Sequence, residues 1–559
     1  MIELSKFPFK TEKVAPKISD NKSTSLLLQA GLIRQTMAWV YNYTTLWLRV
    51  LKKIENIVRE ELNNYNCYEI LMSWISPQDV WEKTNRWEIE EYFKLPTYWW
   101  KFYRLNPTHE EIVVPLLKQF VKSYKDLPTC VYQIQTKYRN EKRAKSWLLR
   151  WREFIMKDAY SFHITEDDFQ NFYNWMIKTY KKIFDRLWIW KDTYVTLADW
   201  WSFTDKFSHE FQTILDVWED LIYIDEKEWI SYNQEIAPSM VWTENISEKE
   251  LKKREDVKLP KNIVWVDNIS KYLWIPKEKT TKTLFFIADE KRFVVASVRW
   301  DYDINEMKLK KVVNAKMLRL ANESEIKDKI WTDIWFAWII NLPDNVELYL
   351  DDSLKWLTNF ETWTNKNWYH SLNINFWIDL KNPEKFYDFK NAKIWDKNPK
   401  TWNKYIVKKA SEVWNIFPLE NKYSKPFDLK ILNKDWKEVD VIMWCYWIGV
   451  SRLMWVVAEY FMKDNWIAWP ENLAPADYYI IVLQNNLEKA KNIAKNLEKS
   501  WKEVILDDRK WKKFWFGVKI KDAELLWIPN IIIVSDNTLQ KWWYELRKLW
   551  EDEWKIVKL

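Results

Sequence analysis

The chain has 44 tryptophans and only three glycines in 559 residues. It therefore lacks the residue that backbones use most at left-handed turns. An ordinary globular protein carries roughly 7% glycine, which is about 39 residues at this length. The glycine and tryptophan counts together match that complement plus a handful of genuine tryptophans. Most of the tryptophans are therefore read as positions that hold glycine in the working protein. A gene from a lineage that decodes UGA as glycine, translated with UGA as tryptophan, produces this pattern.

The local chemistry agrees. Trp501 follows the helical run Leu487–Ser500, where a left-handed residue is wanted and glycine is usual. Trp188 follows Lys181–Leu187 in the same way. Trp436 lies in Asn433-Lys434-Asp435-Trp436-Lys437, between two strand-like runs, where Asp-Gly makes a hairpin turn. The competing reading is a genuinely tryptophan-rich chain with stacking platforms for RNA. It does not explain why tryptophan falls so regularly at turns and caps.

The length suggests three or four domains. A net charge of +7 is mildly basic, compatible with an RNA partner without demanding one. Cys67, Cys130 and Cys445 are scattered and too few for a zinc site or a disulfide framework. That reads as a cytoplasmic protein. Residues 1–10 lack the apolar core of a signal peptide. No run of about 20 apolar residues occurs, so no membrane span is expected.

Leu51, Ile54, Val58 and Leu62 predict an amphipathic helix over 46–63. Strands are predicted at Glu69–Met72 and Lys101–Leu105. An antiparallel pair is predicted at Val131–Tyr138 and Phe154–Asp158, and a helix at 165–187. A polar stretch at 244–261 reads as a boundary. Strands follow at Thr283–Ala288 and Arg292–Arg299, and Asp396–Lys400 reads as an exit loop. From Ala476 onward, strands and helices alternate through Val534, which indicates a small α/β domain.

Five strings carry chemistry. They are Pro107-Thr108-His109-Glu110-Glu111, Tyr132–Glu141, Leu149–Phe154, Lys157–His163, and Met443-Trp444-Cys445-Tyr446-Trp447-Ile448-Gly449-Val450-Ser451-Arg452. Taken singly, each has a bland reading: the arginines as surface charges, the paired acids as a solvated face. Together, arginines on separate elements plus an aromatic residue are what a nucleoside triphosphate site needs. Arginine offers a planar fork to phosphate and stays charged.

These strings resemble the bacterial-type prolyl-tRNA synthetases, within the class IIa aminoacyl-tRNA synthetases. The match runs from about Ala30-Gly31-Leu32-Ile33-Arg34 to the C-terminus. Gly31, Gly449 and Gly517 fall where the family has glycine, and so do Trp39, Trp47, Trp147, Trp444, Trp447, Trp466 and Trp527. Trp81, Trp87 and Trp469 fall where it has tryptophan. The resemblance implies a multidomain α+β fold in which helices flank a class II antiparallel sheet. The catalytic core would occupy 1–229 and 399–473, with an inserted α/β editing domain at 230–398. An α/β anticodon-binding domain would occupy 474–559.

It also implies roles. Arg139 would bind the ATP α-phosphate and the proline carboxylate. Glu141 and Arg150 would hold ATP, Phe154 would stack on adenine, and Arg452 would clamp the γ-phosphate. Thr108, Glu110 and Cys445 would line the proline pocket, with His209 and Glu210 on its floor. The segment Glu69–Pro77 would build a dimer interface. Lys282 and His370, with Trp335 and Trp338 on a glycine loop, would form a hydrolytic site for mischarged alanyl-tRNA. Asp508, Arg509, Lys519 and Glu524 would meet the anticodon, with fold salt bridges as their other reading.

The implied cofactors are ATP and Mg²⁺, with no resident metal site. The implied partners are tRNA(Pro), L-proline and a second copy of the chain, with no membrane and no DNA. The alternative function is a tRNA-binding or editing deacylase without synthetase activity. Three positions depart from the family: Asn415, Pro418 and Trp200. Literal indoles at Trp444 and Trp447 are expected to crowd the space that ATP and proline need.

Overall fold

The computed structural model describes residues 1–14, 21–37, 40–140, 152–198, 208–217, 219–227, 230–241, 250–260, 263, 266–331, 339, 342–343, 345–366, 368–376, 378–380, 385–510, 514–539, 543–549 and 553–558. The chain divides into two compact units. One comprises Met1–Tyr194, Trp200–Glu219 and Lys409–Leu559; the other comprises Val195–Asp199 and Asp220–Lys408. The expected insertion at 230–398 lies within the second unit, which reaches further on both sides.

Six strands of one sheet bear on the site: β1 (Cys67–Glu69), β2 (Thr129–Tyr138), β3 (Glu153–His163), β4 (Ser208–Ile214), β5 (Ile406–Glu420, in the first unit from Lys409 on) and β6 (Ile442–Gly449). Their spatial order is β4–β5–β6–β3–β2–β1. Neighbours run antiparallel except β1 and β2, which are parallel. The predicted antiparallel pair is β2 and β3, in register from Thr129–Phe162 to Tyr138–Glu153.

Four helices matter to the site: α1 (Thr45–Asn63), α2 (Glu110–Lys118), α3 (Glu166–Arg186) and α4 (Val450–Tyr460). The predicted stripe of α1 is buried. Helix α3 starts at Thr165, whose hydroxyl accepts from the Asp168 amide at 3.2 Å. Three acidic residues fill its first turn and favour the positive helix end.

Successive strand residues point to opposite faces, and the two faces are covered differently. One face meets α3, where Phe169 stacks on Trp444 and Tyr180 meets Phe211. The other face meets α2, whose Val113, Val114 and Leu117 share a core with Tyr160, Phe417, Met443 and Cys445.

The C-terminal part follows the predicted alternation. Parallel strands Tyr478–Val482, Val504–Asp507 and Asn530–Val534 alternate with helices Leu487–Lys499 and Phe516–Leu526. Ile2–Glu3 adds a strand beside Val504–Asp507, which local pattern did not signal. In the second unit, Thr281–Ala288 pairs antiparallel with Arg292–Arg299. A separate sheet there orders Glu255–Lys258, Tyr369–Ile374 and Phe360–Trp363.

Tryptophan occupies left-handed backbone repeatedly. Trp188 (φ 62°), Trp274 (56°), Trp331 (61°), Trp501 (60°) and Trp527 (47°) each follow a helix, and Trp436 (57°) turns a hairpin. Behind α3, the Trp188 amide donates to the Asp185 carbonyl and the Ile189 amide to Phe184, at 3.0 and 3.1 Å. That double closure is the motif glycine normally completes. Gly31 shows why (φ 70°): a Cβ there would stand 2.7 Å from the Lys10 carbonyl oxygen.

A side chain in this conformation costs roughly 1–2 kcal/mol. The indoles of Trp436 and Trp501 are 83% and 95% exposed and contribute little packing. Trp436→Gly and Trp501→Gly are each expected to stabilise the protein by about 1 kcal/mol, net of glycine's larger unfolded-state entropy. The urea midpoint at constant slope measures this. A lower midpoint in both variants would contradict it.

Candidate active site

The face of the sheet toward α2 carries buried polar residues at alternate positions of β2: Gln133, Gln135 and Lys137. Buried polar side chains in a row are the informative departure from an apolar core. Opposite them in register on β3 are Asp158, Met156 and Phe154. Arg139 follows β2, and its amide donates to the Arg152 carbonyl at 2.9 Å. Its guanidinium lies 5.2 Å from the Phe154 ring and 5.4 Å from the Trp447 ring. Arg139 and Phe154, expected at the ATP site, thus meet.

Thr108, His109, Glu110 and Glu111 enter this region at the start of α2, and all four are buried. The Thr108 hydroxyl donates to Glu110 Oε2. Glu110 Oε1 is buried and accepts no hydrogen bond among the described residues. Cys445 lies beside Glu110, and burial together with that carboxylate pushes its thiol well up. The predicted trio of Thr108, Glu110 and Cys445 is therefore assembled.

Glu111 points elsewhere. Its Oε1 accepts from Arg86 at 2.9 Å and from Thr84 at 2.8 Å. Burial raises the Glu111 carboxyl more than Arg86 lowers it. Arg86 lies 3.5 Å from Glu110 Oε2 as well, so one buried guanidinium stands against both acids.

Glu210 on β4 accepts from Gln212 at 2.9 Å and from Asn415 at 3.3 Å. Asn415 pairs in register with Trp447, so Glu210 shares the α2 side of the sheet. The next-door residue His209 packs 5.4 Å from Tyr173 of α3. His209 is therefore not on the pocket floor with Glu210. Strand alternation sends the two side chains to opposite faces, and burial lowers the His209 imidazole to about 4.

Alternation also separates the two indoles. Trp447 lies between Arg139 and Phe417, 4.5 Å from the latter ring, in the space expected to be crowded. Trp444 faces the other way, stacked 3.6 Å from Phe169, so it crowds α3 instead.

Arg452, in the first turn of α4, donates to the Glu412 carbonyl at 2.9 Å. It also lies 3.2 Å from Glu412 Oε2 and 3.3 Å from Glu219 Oε2. Glu141, Arg150, Trp147, Trp39, Trp200, Trp335 and Trp338 lie outside the described residues.

In the second unit, Lys282 pairs with Asp303 and lies 5.2 Å from the Trp300 ring. His370 is buried, bonded to Glu361 and covered by Trp363 at 3.6 Å. Thr281 donates to the Glu361 carbonyl at 3.3 Å, so the strand carrying Lys282 adjoins the one carrying His370's partner.

The four expected anticodon residues all have partners within the chain. Arg509 is buried and binds Asp507 at 2.6 Å and Asp522 at 2.8 Å. Lys519 is buried and donates to the Val482 and Asp507 carbonyls at 2.9 and 3.0 Å. Asp508 accepts from Ser5, and Glu524 pairs with Arg547. For Arg509 and Lys519 the geometry favours the salt-bridge reading, because their charged ends point into the domain. Lys137, Asp158 and Arg86 were missed by sequence reasoning. Two of them lay inside the quoted strings, but nothing local marked them as buried.

A mostly antiparallel sheet with arginines after β2 and at the start of α4 is the arrangement of a class II synthetase core. The family model described as the tRNA synthetase class II core domain (G, H, P, S and T) matches residues 100–461. The proline–tRNA ligase of Aquifex aeolicus is 35% identical over 97% of this chain and 97% of its own. That of Persephonella marina is 36% identical over 95% and 94%. The solved Giardia lamblia prolyl-tRNA synthetase, in complex with prolyl-adenylate, aligns with a TM-score of 0.55 at 14% identity, covering 96% of this chain and 73% of that one. The chain belongs to the proline–tRNA ligase family.

Proposed function

We propose that the protein activates L-proline with ATP and transfers it to tRNA(Pro), and that most positions written as tryptophan in the translated sequence are glycine in the working enzyme. One observation carries the substrate reading: Glu110 is a buried carboxylate whose Oε1 has no hydrogen-bond partner among the described residues. A cation is the natural complement of such a group, and the imino nitrogen of proline supplies one. Arg139 binds the substrate carboxylate and the ATP α-phosphate, and Phe154 offers a face to adenine.

The proline carboxylate then attacks the α-phosphorus in line and pyrophosphate leaves. Arg139 and Arg452 offset the charge that grows on phosphate oxygens. The terminal ribose hydroxyl of tRNA then attacks the carbonyl carbon of the prolyl-adenylate, the mixed anhydride breaks and AMP leaves with the proton, so no protein nucleophile is needed and catalysis is positioning plus electrostatics. Glu219 and Glu412, both against Arg452, are hard oxygen donors of the type Mg²⁺ takes. Bound there, Mg²⁺ would neutralise phosphate charge.

Alanine is smaller than proline, and lost methylenes discriminate by only about 1–3 kcal/mol. The second unit, with Lys282 and His370, is read as the hydrolytic site that makes up the difference. Leu71 and Ile75 are exposed on the segment after β1, and those apolar side chains suit contact with a second copy.

Crowding supports the glycine reading. Trp414 lies 3.0 Å from Tyr180 between ring centroids, closer than the 4.5–7 Å that aromatic pairs prefer. The indole nitrogens of Trp414 and Trp444 are buried with no hydrogen-bond partner among the described residues. The test is amino-acid-dependent ATP–pyrophosphate exchange on protein made with glycine at the recoded positions. Exchange with proline, and more weakly with alanine, is the expected result. A folded protein that exchanges with no amino acid would overturn the ligase reading and favour a deacylase.

A further inference from the structure

Three buried polar groups behind the proline loop are not used by substrate binding as described. Lys137, Asp158 and His109 are each fully buried. Lys137 Nζ lies 2.8 Å from Asp158 Oδ1 and 2.7 Å from His109 Nδ1. His109 Nε2 lies 2.9 Å from the Ser73 carbonyl. A carbonyl only accepts, so Nε2 carries the proton and Nδ1 accepts from the Lys137 ammonium. Asp158 Oδ2 accepts from Gln133 at 3.0 Å and from Tyr160 at 2.9 Å. The Tyr160 hydroxyl in turn accepts from the His109 amide at 3.2 Å.

Both ring nitrogens and the backbone amide of His109 are therefore held, and its neighbour is Glu110. His109 is the residue at which α2 begins: its carbonyl accepts from the Ile112 and Val113 amides at 3.0 and 2.9 Å. Its side chain does not cap the helix and turns toward the sheet instead. A turn of His109 would redirect the first helical residue, Glu110, whose carboxylate is the one proposed to meet the imino nitrogen. A buried ion pair that merely stabilises can often be replaced by apolar side chains at little cost. This pair has a third member on the substrate loop.

We propose that Lys137 and Asp158 are positioning residues that lock His109 and thereby set the direction in which Glu110 presents its carboxylate to the imino nitrogen. The proposal rests on the ligase reading for its substrate and on the geometry for its anchor. Burial beside the Lys137 charge lowers the His109 imidazole to about 4, which keeps it neutral and able to accept.

Two readouts in the full-length protein with glycine at the recoded positions, the parent for every variant below, test it. In pyrophosphate exchange, Lys137→Met is expected to raise KM for proline at least about tenfold, with KM for ATP within about twofold. His109→Gln, whose amide can both donate and accept, should retain more proline affinity than His109→Leu. The second readout is the ¹⁵N spectrum of histidine-labelled protein, tractable because the chain has four histidines. His109, assigned by its loss in His109→Gln, should show a neutral Nε2–H ring, and Lys137→Met should shift its Nδ1 signal.

Equal rises in both KM values would mean general loosening and overturn the proposal, as would an unmoved Nδ1 signal. Absence of exchange in the parent would sink the ligase reading, while the ring signal would still decide the anchor. Should Lys137→Met not fold, the two His109 variants decide the question through the proline KM: equal values overturn the proposal.

Discussion

In a chain carrying glycine at the other recoded positions, Trp447→Gly is expected to raise proline-dependent pyrophosphate exchange at least about a hundredfold. That corresponds to about 2.7 kcal/mol of barrier. Trp447 projects from β6 on the face that carries Asn415 and Glu210, with Arg139 on one side and Phe417 on the other. On the proposed function, an indole there would fill volume that the adenylate needs and engage the guanidinium proposed to fork onto carboxylate and phosphate. Glycine removes the side chain and lets backbone approach the ligand. Equal exchange in the two proteins would sink the glycine reading at this position. Peptide masses from the native protein give a check independent of activity, because glycine and tryptophan differ by the whole indole side chain.

Arg139→Ala in the active protein is expected to lower kcat/KM for proline about a thousandfold, or about 4 kcal/mol. Lost transition-state charge stabilisation of this size is typical when one fixed donor is removed from a water-poor site. Arg139→Lys should recover little of it, because a point charge cannot replace a planar two-pronged donor. The residue sits just past the end of β2, over the Phe154 ring, outside the apolar core. The thermal midpoint should therefore move by no more than a few degrees. A large drop in midpoint alongside the lost activity would assign Arg139 to the fold and leave the phosphate clamp to Arg452.

Short-range features were legible in the sequence. Spacing of apolar residues placed α1 and α3 to within a residue or two, and the strand–helix alternation after Ala476 held throughout. Trp188, Trp436 and Trp501 all adopt the left-handed conformation expected where glycine belongs. Helix termination and hairpin reversal are local events, decided by a few adjacent φ and ψ angles. The motif strings likewise showed which residue types were present for phosphate and carboxylate chemistry.

Other assignments needed the tertiary structure. His209 and Glu210 are adjacent in sequence yet face opposite sides of the sheet, and the strand register decides which one meets the pocket. Arg509 and Lys519 look like surface cations until the strands around them close, which buries them beside Asp507. Trp444 and Trp447 share one string, but packing sends one against α3 and the other toward Arg139. The Lys137–Asp158–His109 anchor joins three distant stretches of chain. Local turns, the longer helices and most strands, and the chemical inventory could be read from sequence alone, because they follow from short-range sterics and periodicity; the strand expected at Glu69–Met72 instead runs over Cys67–Glu69, where pairing with Cys130, Val131 and Tyr132 sets its bounds. Which of those side chains share a buried site, and which merely support the fold, was decided by long-range packing, because burial and partner choice depend on residues far apart in the chain.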